Sequence, residues 1–222
     1  MNAPYSSEIC EMTNTSAEKV KWIMIGATIS ALPSLAWAHH FMGDQLPRTF
    51  MQGLLSGLGH PVIGVDHLAF IVAAGFVLAS VRRGMLGVLA LILGSLSGAA
   101  VHLAGFGLVW GEAAVALSVI LIGGLLVTGR RLGLAWMAVG LAFAGALHGH
   151  AYAESIVGAE STPLGAYLLG FSLVQFGIAA TALLVHRRLR AYSVSRAEPI
   201  ASALGTVAGA IGVFFLAGTA IG

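Results

Sequence analysis

His60, Asp66 and His67 fall in one short stretch, His60-Pro61-Val62-Ile63-Gly64-Val65-Asp66-His67-Leu68-Ala69-Phe70, whose other members are all apolar, proline or glycine. Two imidazoles and a carboxylate are a donor set for a divalent transition metal. They are also groups that apolar membrane segments rarely carry, because an ionisable side chain at bilayer depth is costly and usually marks an ion path or a site. Asp44 and Asp66 are the only aspartates in the 222 residues, and one of them adjoins a histidine. A second set lies at His148-Gly149-His150-Ala151-Tyr152-Ala153-Glu154. Four histidines, an aspartate and a glutamate at one level would suit nickel, cobalt, zinc or copper.

Helical spacing limits what each stretch can do alone. Pro61 suits the first turn of a helix, with His60 at its cap. His67 is then at nearly the same angle as His60 but about 10 Å further along the axis. Imidazole nitrogens sit roughly 2 Å from a bound ion, so a straight helix cannot bring both rings to one ion. Either the segment bends near Pro61 or Gly64, or other spans complete two successive stations along a path; a straight span favours the two stations. Asp66 points about 100° away from His67, placed to orient an imidazole of a neighbouring helix. His148 and His150 are about 200° apart unless Gly149 ends the helix.

Plainer roles compete with these. A histidine at a span end is often an interfacial hydrogen-bonding residue, and Asp66-His67 could be a structural ion pair between helices. His102 stands alone on its span and reads as structural. His186 belongs to a basic cluster and not to a ligand set. Glu112 opens a span, where a carboxylate suits the helix dipole. Gln175 is an isolated polar group expected to bond to a neighbouring helix.

The elements that must carry these residues are membrane spans. The chain is 58% hydrophobic and 9% charged, with a mean hydropathy of +0.91; soluble domains carry about a quarter charged residues. A net charge of +2 gives no nucleic-acid signal, because the basic residues sit in short clusters between apolar runs. Cys10 is the single cysteine, which excludes an intrachain disulfide and a thiolate-rich metal site. Six apolar runs predict an all-α bundle of six transmembrane helices: about Met51–Val81, Met85–Gly105, Ala113–Thr128, Leu132–His148, Leu164–Val185 and Ile200–Ile221. Glycines spaced as in Gly94-Ser95-Leu96-Ser97-Gly98 and Gly205-Thr206-Val207-Ala208-Gly209 offer faces for close helix packing.

Residues 1–38 read as an extension and a signal peptide. Lys19 and Lys21 precede an apolar run from Trp22 to Leu35 that ends in Ala36-Trp37-Ala38, the pattern of a cleaved secretory signal. Met12 is an alternative start that would shorten the leading segment and remove Cys10. Cleavage after Ala38 leaves residues 39–222 as the membrane domain, opening on His39-His40. A free amine beside the His39 imidazole can chelate a divalent ion; the plainer reading is a short polar tail. Arg82-Arg83, Arg130-Arg131 and Arg187, Arg188, Arg190 and Arg196 follow alternate spans, while the other loops hold Glu112, Glu154 and Glu160 with no lysine or arginine. The positive-inside rule then puts the basic loops in the cytoplasm and both mature termini outside.

At these residues the chain resembles the HupE/UreJ family, small bacterial membrane proteins linked to hydrogenase and urease maturation. The resemblance rests on H-P-x-x-G-x-D-H-L at His60 to Leu68, on H-G-H-A at His148 to Ala151, and on a histidine at the exported end, and it covers the chain from about His39. It implies a nickel permease in the inner membrane, with His60, Asp66 and His67 needed for transport and His148, His150 and Glu154 assisting. Tyr152 stands where many relatives have a further histidine, and Leu147 where they usually have phenylalanine.

The expected function is therefore uptake of Ni²⁺, or of Co²⁺, by facilitated diffusion, with the ion as substrate and no resident cofactor. The expected partners are the ion, the lipid bilayer, a cytoplasmic metallochaperone that takes the ion and a second copy in a homo-oligomer. The alternative from another class is an intramembrane zinc hydrolase, which would need three ligands converging on one ion with an open position for water.

Overall fold

The computed structural model describes residues 46–221, and the described residues form seven α-helices with no strand. The signal peptide, its cleavage, Met12, Cys10 and His39 fall outside the described residues. The helices are α1 (Phe50–Ile63), α2 (Val65–Leu78), α3 (Gly84–Leu103), α4 (Gly111–Thr128), α5 (Leu134–Glu154), α6 (Ser161–Tyr192) and α7 (Val194–Ile221). Helices α3 to α7 are each long and apolar enough to cross a bilayer, and α1 with α2 pass the same test as a pair.

That pair corresponds to the first span read over Met51–Val81, and it takes the bent alternative. The axis turns by 77° at Gly64. Each half has 14 residues, about 21 Å of helix, which is short of a hydrocarbon core of about 30 Å. Pro61 is not in a first turn. The helix starts at Thr49, whose backbone N–H donates to Gln52 Oε1 while the Gln52 N–H donates to Thr49 Oγ1, each at 3.2 Å. This capping box satisfies two donors that a helix start otherwise leaves unpaired. Pro61 therefore lies near the end of α1, where the lost N–H weakens the ladder just ahead of the break.

Helix α2 is the central element. Phe70, Ile71, Ala73, Ala74 and Leu78 are buried, and α3, α4, α5, α6 and α7 all contact the helix. Around it the closest partners are α3 with α5, α4 with α7 and α1 with α6. Lipid is as apolar as leucine, so packing and hydrogen bonds hold such pairs together, and small residues allow the closest approach. A Cβ added at Gly94 or Gly98 of α3 would run into the carbonyl oxygens of Ala142 and Ala146 in α5, and one at Gly149 into that of Ser95. Gly205 meets Gly123 of α4 in the same way, so both glycine faces read from the sequence are used inside the bundle.

The far end of α2 is tied by the basic residues. Arg187 donates to the Ala79 carbonyl (3.3 Å) and the Val81 carbonyl (3.0 Å), and Glu198 pairs with Arg190 (3.4 Å) and Arg131 (3.9 Å). His186 is not part of an open cluster. It is buried, its Nδ1–H donates to the Phe76 carbonyl at 2.8 Å, and its ring stacks on Phe76.

Gly98→Ala should lower stability by about 1–3 kcal/mol, because a backbone carbonyl cannot move aside as a side chain can. Gly140→Ala, with nothing within 4 Å, should be neutral or gain up to about 1 kcal/mol of helix propensity. Unfolding in mixed micelles with rising SDS would test the contrast; equal effects at the two positions would refute the close α3–α5 contact.

Candidate metal centre

The break at Gly64 folds the end of α1 onto the start of α2. His60 and His67, separated on a straight helix, now have ring centroids 5.9 Å apart. Gly64 has an ordinary φ of −68°, so the position needs glycine for space: a Cβ would come 2.6 Å from Cδ2 of His67 and 3.4 Å from Oδ1 of Asp66. The bend, one of the two alternatives, thus replaces two stations with a single cluster.

Helix α5 brings His148 to that cluster. The Nδ1 atoms of His67 and His148 are 2.7 Å apart, and the rings are 4.9 Å apart. Surrounding bonds decide the tautomers. The Ser118 hydroxyl gives its hydrogen to the Val115 carbonyl (2.7 Å) and so accepts from His148 Nε2–H (2.8 Å). That leaves the His148 lone pair on Nδ1, where His67 Nδ1–H donates. Phe70 stacks on the His148 ring at 4.1 Å and fixes its plane. In the same way the Tyr167 hydroxyl donates to the Tyr152 carbonyl (2.7 Å) and accepts from His60 Nδ1–H (3.0 Å), which leaves the His60 lone pair on Nε2. Ser155 Oγ lies 3.2 Å from the same His60 nitrogen.

Two polar atoms in this cluster are buried without a hydrogen-bond partner among the described residues. They are Oδ1 of Asp66 and the hydroxyl of Tyr152. Asp66 is 6% exposed. Its place in the first turn of α2 offsets part of the burial cost through the helix dipole. Tyr152 packs between His60 (5.2 Å) and His67 (4.5 Å). A bare carboxylate oxygen and a bare hydroxyl beside three imidazoles form a set of donors suited to a cation.

The remaining expected residues are elsewhere. Helix α5 runs unbroken through Gly149 to Glu154, so His148 and His150 stay on opposite faces. His150 meets His102 of α3, with ring centroids 4.3 Å apart, and Glu154 joins them. The four histidines of the two motifs therefore do not converge; three do, and the fourth pairs with a histidine read as structural. His102 was detectable in principle, since it lies at the end of its span that is level with His150. Ser118, Ser155 and Tyr167 carried no such signal, because a hydroxyl in an apolar run has a local carbonyl as an equally good partner. Gln175 is fully buried and accepts from Ser95 Oγ at 3.1 Å, as its isolation suggested.

Cysteine pairs can test this placement. With Cys10 replaced by serine, the double variant His67→Cys/His148→Cys should be joined by a bifunctional thiol reagent with a reach of about 5 Å. The pair His67→Cys/His150→Cys should stay unlinked. Equal linking of both pairs would overturn the division of the two faces of α5.

No curated protein and no solved structure matches the chain. A family model described as HupE / UreJ protein matches residues 27–215. The match takes in both histidine motifs and begins ahead of His39, where the resemblance read from the motifs begins. A match over most of the chain places this protein in the HupE/UreJ family, which is associated with nickel and cobalt transport.

Proposed function

We propose that this protein is a multi-pass permease of the bacterial inner membrane that carries Ni²⁺, or Co²⁺, into the cell by facilitated diffusion. The observation that carries the reading is the buried cluster of His60, His67 and His148, with the unpartnered Oδ1 of Asp66 near the His67 ring. Burying a carboxylate costs several kcal/mol unless it is fully paired, and a bound cation offsets that cost. Imidazole nitrogens with one carboxylate suit borderline metals over Mg²⁺ or Ca²⁺. To ligate through Nδ1, His67 would move its hydrogen to Nε2; protonation of either ring to imidazolium removes the ligating lone pair, so occupancy competes with protons. Such competition, with neutral ligands in the majority, keeps the hold weak enough for the ion to leave, as conduction requires.

The alternation of basic loops supports an orientation with Arg82-Arg83, Arg130-Arg131 and the Arg187 to Arg196 group in the cytoplasm. The broken α1–α2 span then enters from outside, and His60 to His67 form the entrance. The ion is delivered towards metalloenzyme maturation, with a cytoplasmic metallochaperone as recipient. In this reading His39 would offer a first contact at an exported terminus. The zinc hydrolase alternative draws no support from the family assignment.

Uptake of ⁶³Ni by nickel-starved cells should fall about tenfold or more in Asp66→Asn, His67→Ala and His148→Ala, at equal protein levels in the membrane. Gly64→Ala should give a smaller loss, because it displaces the His67 ring and keeps every donor. Wild-type uptake by Asp66→Asn and His67→Ala would sink the assignment. Competition by unlabelled Co²⁺, Zn²⁺ and Cu²⁺ in the same assay ranks the ions.

A further inference from the structure

The geometry points to a second metal site, separate from the buried cluster, formed by His102 of α3 with His150 and Glu154 of α5. One ligand atom from each of these residues lies within 4.8 Å of the other two. The closest pair, His102 Nδ1 and His150 Nε2, is 3.1 Å apart, near the separation of about 3 Å that two nitrogens adopt when each is roughly 2 Å from one ion. His150 and Glu154 are one helical turn apart and therefore share a face of α5. Two imidazoles and a carboxylate, with room for water, take a divalent metal of borderline hardness such as Zn²⁺, Co²⁺, Ni²⁺ or Cu²⁺.

The frame that holds these three donors is stiff. Gly98, one turn before His102, and Gly149, next to His150, are two of the positions where the backbones of α3 and α5 touch. Both histidines are therefore mounted on helices that cannot slide apart, which is the support a precise site needs. A second hydrogen bond at this site goes to the turn after α3: His150 Nε2–H donates to the Phe106 carbonyl at 2.9 Å. To ligate through Nε2, His150 moves that hydrogen to Nδ1 and releases the carbonyl.

Access separates this site from the cluster around Asp66. His102 is half-buried and Glu154 is exposed, whereas His148 has 0% exposure. An ion can thus reach the trio from the end of the bundle without passing His60, His67 or His148. The side of the membrane on which it opens follows from the orientation proposed above; the binding does not depend on that reading.

The test is metal stoichiometry on the full chain, purified in detergent, with any affinity tag removed and the metal stripped by a chelator. Titration with Co²⁺, followed by metal analysis and by the visible d–d bands, should give one equivalent fewer in His102→Asn and in His150→Ala than in wild type. Glu154→Gln, at an exposed position that should not disturb folding, should weaken that equivalent by about tenfold. In Asp66→Asn/His67→Ala the same equivalent should persist with its spectrum unchanged. Unaltered binding in His102→Asn and Glu154→Gln, with circular dichroism matching wild type, would overturn the site. Loss of ⁶³Ni uptake without loss of this equivalent, or the reverse, separates the fate of this inference from that of the transport reading.

Discussion

A continuous helix through residues 50–78 would leave His60 and His67 about 10 Å apart along one face, each needing other partners. The 77° turn at Gly64 removes that separation, and the arrangement of the cluster follows from it. Glycine is required there because the ring of His67 and the carboxylate of Asp66 fill the space a side chain would use. The turn also makes Asp66 a first-turn residue of α2, where the helix dipole offsets part of its burial cost. Local backbone geometry and side-chain chemistry are coupled at this one residue.

The rest of the bundle keeps this broken span in place. In a bilayer, burial of apolar side chains gives little net drive for helices to associate, so van der Waals contact between backbones does more of the holding. Glycines at the α3–α5, α1–α6 and α4–α7 contacts bring carbonyl oxygens against Cα atoms. The α3–α5 contact sets the positions of His102 and His150, and α5 carries His148 on its other face. One helix therefore serves two groups of histidines, which differ in exposure and partners. Arg187, by donating to the Ala79 and Val81 carbonyls, holds the end of α2 that lies away from the cluster.

Hydroxyl groups decide which imidazole nitrogen can act. Ser118 commits its hydrogen to Val115 and so fixes His148; Tyr167 commits its own to the Tyr152 carbonyl and so fixes His60. Neither residue stands near a histidine in sequence. Tyr152 adds a hydroxyl to the cluster, a harder donor than an imidazole.

The membrane class, the apolar runs and the polar groups His60, Asp66, His67 and His148 within them were legible in the sequence, because hydropathy and a rare polar group in an apolar run are local properties. The opposite facing of His148 and His150 was legible too, since it follows from helical periodicity alone. The bend was present only as an alternative: Pro61 and Gly64 permit a straight or a broken span, and packing of α1 on α6 and α2 on its neighbours selects the broken one. The pairing of His102 with His150 was not legible, because a residue alone on its helix gains a partner only when another helix docks beside it. Sequence determined which groups have to be satisfied within the membrane. Tertiary structure decided which of them meet, because the meeting depends on a kink angle and on helix contacts that no local pattern encodes.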